Sequence, residues 1–501
     1  MTPIRFAVGL VLTASVAAQA QTRSTEPLDR AVEDYSGGRN REAAIGFYRV
    51  EEGSTAGEQR LKAGYYLAQS LDKLGLGFGA FFHYSRIIKA GPSHPEYLKS
   101  IEAAVAIIEA WHDDVLGPNL LNQVYNEEFG RLPPQTLAKI NYQVALLGFR
   151  AGNERLAERF LTGVQPESGT FAQSQYLGGL LQQRKDPAKA VETFRNILSL
   201  EGARYRDLDH LKEVTHLALG RTYYGLQRYE QASAEYSLVP RFSRHWDEAL
   251  FEGAYADLLN GAPGAALGKL HSLHSPHLSD EFAPESENLA AVIYQQNCLY
   301  PQAREAVARF NRVYVPMLQS MKAILESNPP VEQYWQMVAQ GKGSRLPGAV
   351  QRHLAKNERV GAMLGYLARL DLEAEKVRRD DELARSPLGV DLLDLIARQR
   401  SLAGQVAGKF IQGRLKDLTH LIEVLDGDKE IVVFETTKGE KEVLDQNVDR
   451  HRLLASQTLN RPPMPSSGHE YWPFDGEYWP DEIGYYRYTL KNACPPAKSE
   501  E

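Results

Sequence analysis

Residues 217–240 read LALGRTYYGLQRYEQASAEYSLVP, and within them Gly220, Tyr223, Tyr229, Ala232, Tyr236 and Pro240 run in an order of small residue, ring, ring, small residue, ring and stop. That order dictates a pair of antiparallel helices. The small residues let two helix axes approach, the rings fill the space around them, and the proline ends the second helix. Weaker copies occur at Ala68, Gly75, Ala80, Tyr84 and Pro92, and at Ala145, Gly152, Ala157 and Leu161. Others follow at Gly178, Ala190 and Phe194, and at Ala291, Tyr294, Tyr300 and Ala303, while FEGAYADLLNGAPGAALGKL supplies a further pair. With 501 residues the chain exceeds what one core supports, so a recurrent unit of this kind predicts an elongated all-α array.

The recurrence over residues 28–316 resembles that of tetratricopeptide repeats, with anchors separated by roughly 34 residues in places and by more in others. The resemblance implies a helical-repeat solenoid whose first helices line a concave surface. Carried over by position, that surface holds Tyr65, Gln69, Asp72, Tyr142, Phe149, Gln175, Gln182, Arg221, Tyr224, Asn288 and Gln295. Amides, rings and few charges suit an extended polypeptide. Packing between repeats is the competing assignment for the rings, with equal claim.

Residues 317–425 change character, becoming charged and amphipathic, and predict long helices separated near Pro387. Leu392, Leu395, Ile396, Leu402, Val406, Phe410, Leu415, Leu418 and Ile422 approximate an apolar stripe at helical spacing, as in a long hairpin. The DGD at 426–428 predicts a break, and residues 426–460 read as a mixed segment that is either a strand pair or more helix. Residues 461–501 form a proline- and aromatic-rich tail, partly extended. Its stretch 471–488, YWPFDGEYWPDEIGYYRY, concentrates large rings, among them Tyr471, Trp472, Phe474, Tyr478, Trp479, Tyr485 and Tyr486. Rings beside carboxylates suit stacking on sugars, whereas the plainer assignment is packing of the tail against the helices.

Residues 1–20 carry Arg5, an apolar run and AQA before Gln21, the pattern of a secretory signal. The expectation is an exported, periplasmic protein, without a cysteine at the cleavage site to carry a lipid. In an oxidising compartment the two cysteines, Cys298 and Cys494, are either joined or left as thiols. The net charge of −7 and the lack of long basic runs argue against nucleic acid as a partner.

No nucleophile elbow, phosphate loop, zinc-protease helix or dinucleotide fingerprint stands in the chain, so the expectation is no enzyme, no cofactor and no metal. His271, His274 and His277 in HSLHSPH are spaced three apart, but Pro276 interrupts the helix that would gather them. An exported repeat array closed by GEYWPDEIGYYRYTLKNAC resembles the periplasmic components of the gliding-motility (Glt-type) envelope machinery of myxobacteria. That resemblance implies a non-enzymatic adaptor linking inner-membrane and outer-membrane proteins. The alternative is a protein that binds peptidoglycan or another polysaccharide through its aromatic tail, and a glycan-processing enzyme of helical architecture ranks last.

Overall fold

A computed structural model of the chain describes residues 27–54, 57–113, 116–203, 205, 207–445, 458–460 and 476–494. The expected export signal over 1–20, the proline-rich stretch 461–468, and Tyr471, Trp472 and Phe474 lie outside the described residues. The fold is all-α. Helices pair in sequence order: α1 (Pro27–Ser36) with α2 (Asn40–Gly53), α3 (Gly57–Lys73) with α4 (Gly77–Ala90), α5 (Tyr97–Trp111) with α6 (Leu116–Val124), and α7 (Pro134–Arg150) with α8 (Glu154–Leu161). The same arrangement joins α9 (Phe171–Lys185) with α10 (Pro187–Leu198), α11 (Leu208–Gly225) with α12 (Tyr229–Ser237), α13 (Trp246–Leu259) with α14 (Pro263–Leu273), and α15 (Glu285–Gln296) with α16 (Tyr300–Glu326).

Local chemistry explains these hairpins. Between the paired helices the backbone turns through a left-handed residue, at Gly38, Gly75, Gly152, Gln227, Gly261 and Cys298, the conformation that closes helix C-termini. Asn153 and Asp186 then cap α8 and α10, accepting from Leu156 N and Lys189 N at 3.1 Å each. The small-against-large rule holds at atomic scale: a Cβ on Gly220 would lie 2.6 Å from Cε1 of Tyr236. The homologous contact for Phe194 is made by Gly179 rather than by Gly178, whose Cβ would meet only Leu161 at 3.9 Å.

After the pairs come α17 (Val331–Ala339), α18 (Gly348–Lys356), α19 (Glu358–Arg379), α20 (Asp381–Arg385) and α21 (Pro387–Asp445). Three sequence expectations change here. A single helix, α16, runs across Pro316, so the boundary placed between 316 and 317 falls inside an element. The DGD at 426–428 does not interrupt α21, whose 59 residues span about 90 Å. On the apolar stripe, Leu392, Ile396, Leu415, Leu418 and Ile422 are buried as expected, but Leu402 and Val406 are exposed, and Ala407 and Ile411 take the seam.

The core is distributed along the array, as nearest-neighbour packing requires. What makes the ends one unit is α21. Its Leu388 and Leu392 join the core of the first helix pairs, and its Val443 packs with Tyr300 and Cys298 near the last pair. Among the described residues no helix is long and apolar enough to cross a membrane.

The tail returns to the body as β2 (Arg487–Thr489), paired antiparallel with β1 (Thr458–Asn460) with Leu459 opposite Tyr488. It crosses α14 at Gly264 and Gly268, where a Cβ would overlap the carbonyl oxygens of Tyr488 and Tyr486. One turn on, Ser272 Oγ accepts from Gly484 N at 2.8 Å. Ile483 and Tyr486 are buried in the core, and Cys298 and Cys494 form a disulfide with Cα atoms 5.0 Å apart.

Candidate functional site

Helical spacing puts one face of α7, α9 and α11 toward a shared cavity of about 450 Å³. Helix α7 contributes Tyr142, Leu146, Phe149 and Arg150; α9 contributes Gln173, Tyr176, Leu177 and Leu180; α11 contributes His210, Leu211, Val214, Leu217 and Arg221. His245 and Glu248, at the start of α13, and Glu358, at the start of α19, complete the rim. The floor is therefore apolar and the rim charged. A second hollow of about 860 Å³ shares Tyr142, Arg150, Gln173, His210 and Glu358 and extends toward Lys139 and Arg369.

The rim is internally braced. Arg221 bonds Glu248 at 2.8 Å and Glu252 at 2.6 Å. Although burial opposes its ionisation, Glu248 is held down to about 2 by the hydrogen bond from His245 and the charge of Arg221. Burial pushes the phenols of Tyr142 and Tyr176 up to about 12, so both remain neutral hydrogen-bonding rings at ordinary pH. Glu358 is positioned by Asn357, which caps α19 by accepting from Arg359 N and Val360 N at 3.1 and 3.2 Å. Lys356 pairs with Asp247 and Glu281 and thereby holds the same junction against α13.

Within this rim two histidines and a carboxylate converge. His210 Nε2 lies 3.1 Å from Glu358 Oε1, and that hydrogen bond raises the imidazole's pKa while lowering the carboxyl's. The His210 and His245 rings stack with centroids 5.7 Å apart. His245 Nδ1 faces Glu248 Oε1 at 3.3 Å, and its backbone N–H donates to Glu213 at 3.2 Å. Its Nε2 is buried with no hydrogen-bond partner among the described residues.

Of the residues expected on the concave face, Tyr142, Phe149 and Arg221 line the cavity. The others serve elsewhere. Tyr65 is buried edge-on to Tyr84, and Gln69 bridges the hydroxyls of Tyr35 and Tyr65 at 2.8 and 2.9 Å. Asp72 is exposed, and Gln175 and Gln295 are half-buried outside the cavity lining. Gln182 accepts from Thr193 at 2.7 Å and so faces its partner helix α10. Tyr224 packs edge-on with Tyr229 and Tyr255. Asn288 donates to the Leu425 carbonyl at 2.9 Å, because α21 covers that part of the inner surface.

The histidines of HSLHSPH belong largely to tail docking. His271 stacks on Tyr478 with centroids 4.9 Å apart, meets Tyr486 edge-on and bonds the Tyr488 hydroxyl at 3.0 Å. His277 Nε2 reaches the Tyr478 carbonyl at 3.3 Å, and His274 bonds Ser286 at 2.8 Å. Burial lowers His271 to about 4 and His274 to about 3, so both are neutral at physiological pH. Trp479 and Tyr485 stay 50% and 53% exposed, with the Arg241 guanidinium over the Tyr485 ring.

His210, His245, Glu248, Tyr176 and Glu358 were not anticipated from the sequence. One signal was present: His210 and His245 lie about one 34-residue repeat apart, at the entries to successive first helices, with His210 in the first turn of α11 and His245 just before α13. Glu358, distant in sequence, carried none. No protein-family model matches the chain, and no characterised protein sequence matches it. The class that fold and site define is thus an all-α helical array, closed by a long C-terminal helix, with a mixed apolar and charged cavity on its inner face.

Proposed function

We propose that this chain is an exported, non-enzymatic periplasmic scaffold that binds envelope proteins, holding an extended segment of a partner in the cavity along α7, α9 and α11. The observation that carries the reading is the cavity's composition. Rings and aliphatic side chains offer burial to a partner's apolar residues, while Arg150, Gln173 and Arg221 offer hydrogen bonds to its backbone. The resemblance to Glt-type gliding-motility components favours partners in an inner- or outer-membrane complex. The test is capture from crosslinked envelopes with Tyr176→Ala and Arg221→Ala. Both should lose partners at least tenfold while keeping the wild-type helical circular dichroism, with a lowered thermal midpoint for Arg221→Ala because Glu248 and Glu252 lose its ion pairs; undiminished capture by the double variant contradicts the reading.

Exposure of Trp479 and Tyr485 supports a second reading, in which the tail binds peptidoglycan or polysaccharide. Cosedimentation with purified sacculi distinguishes it. Equal retention of Trp479→Ala, Tyr485→Ala and wild type removes a glycan role for these rings.

A further inference from the structure

We propose that His210, His245 and Glu358 form a binding site for one divalent transition-metal ion, with Zn²⁺ the best chemical match. The candidate ligand atoms of the three residues all lie within 4.8 Å of one another. Ligands around a tetrahedral zinc ion sit about 3.4 Å apart, given metal–ligand distances of about 2.0 to 2.1 Å. The gap closes by small side-chain rotations, without movement of the helices. Two imidazoles and one carboxylate are also a ligand set that zinc uses where a fourth position remains open. Magnesium and calcium favour oxygen donors, so the same set discriminates against them.

The surroundings are arranged as metal-bound imidazoles require. Such a ring normally gives its second N–H to a carboxylate, which fixes the tautomer and turns the other nitrogen toward the ion. Here His245 Nδ1 faces Glu248 within hydrogen-bond reach at 3.3 Å, while His210 Nδ1 lies 3.8 Å from Glu213, a charge contact longer than a hydrogen bond. The Nε2 atoms of both rings are thereby left to ligate. The His245 Nε2 atom is buried and lacks a partner among the described residues. A buried polar atom left in that condition is costly, and a ligating ion removes the cost.

The contact between His210 Nε2 and Glu358 occupies the third side, at 3.1 Å. When His210 is protonated, that hydrogen bond holds a proton where the ion would bind, so loading releases the proton to solvent and leaves neutral imidazole and carboxylate as ligands. The bound ion would join α11 and the entry to α13 to the first residue of α19. It would thus fasten the C-terminal helices over the cavity, with its fourth position open toward the cavity.

The experiment is calorimetric titration of tag-free, full mature protein with ZnCl₂ at pH 7.5, repeated with CoCl₂ while visible absorption is recorded. One ion per chain is expected, with the d–d bands of low-symmetry cobalt, and millimolar MgCl₂ should not compete. His245→Ala and Glu358→Gln should each weaken binding by roughly 100-fold, and His420→Gln, an exposed histidine on α21, should leave it unchanged. Glu358→Gln keeps the shape of an exposed side chain, so it reports on the site even if the histidine variant folds poorly. Absence of saturable binding, or binding that Glu358→Gln and His245→Ala leave intact, overturns the proposal. Undiminished partner capture by the Tyr176→Ala, Arg221→Ala double variant, with zinc binding intact, would count against the scaffold reading alone.

Discussion

Gly178 and Gly179 adjoin each other on α9 but have opposite physical roles. A Cβ on Gly179 would fall on the Phe194 ring, which is fully buried, whereas a Cβ on Gly178 makes ordinary contact. Gly179→Ala should therefore cost about 1 to 3 kcal/mol by overpacking. Gly178→Ala should be neutral or gain up to about 1 kcal/mol from helix propensity. Urea unfolding of the two variants checks this, and equal effects would contradict the packing described. The sequence indicated a small residue opposite Phe194 but not which of two adjacent glycines supplies it, because one step along a helix turns a side chain by about 100°. Glu373 shows a second effect invisible in sequence. It accepts from Phe78 N and Gly79 N at 2.8 Å each, yet burial pushes its carboxyl up to about 7 from 4.5. Between those values the native state retains a proton that the unfolded chain has released. Stability should thus fall as pH rises through that window, by about 3 kcal/mol in all. Glu373→Gln should flatten that part of the profile in denaturant titrations at pH 4.5 to 8, and an unchanged slope would show that another group sets it.

At the scale of elements, the hairpins were legible because their signals are local: a small residue and a ring, with a left-handed turn in most pairs and a side-chain cap at α8 and α10. The long helix was legible only in part. Asp426, Gly427 and Asp428 have poor helix propensity, but Lys429 bonds Asp426 at 2.5 Å, and Leu425 and Thr436 on either side are buried. Tertiary burial outweighs a local cost of about 1 kcal/mol for the glycine. The aromatic tail was legible as a docking element, but its surface was not. The stretch FEGAYADLLNGAPGAALGKL signals only a helix pair, whereas its Gly264 and Gly268 admit the tail backbone. Gly268→Val should displace β2, expose Tyr486 and make the tail protease-sensitive after reduction of the Cys298–Cys494 bond. The helical circular dichroism should remain within about a tenth of wild type, since the tail contributes little helix. A tail that stays resistant in the reduced variant would show that its docking does not depend on α14.

Across the whole molecule, the C-terminal helices are what convert an open array into a closed one. α21 touches the first helix pairs at one end and α15 and α16 at the other, and it covers inner-surface positions such as Asn288 that the repeat pattern alone leaves open. This explains why, of the residues carried over by position, only Tyr142, Phe149 and Arg221 line the cavity: the repeat rule describes an array without its cover. It also explains why the histidine–carboxylate cluster was missed, since Glu358 arrives from outside the repeats. We propose that this covered cavity receives a partner polypeptide. The most direct test is a photoreactive phenylalanine analogue placed at Tyr176 inside the cavity, and at Val313 on the exposed face of α16, followed by irradiation of intact envelopes. A defined protein adduct is expected from position 176 and none from 313. Adducts from 313 with none from 176 would contradict it and move the functional surface to the outside of the array.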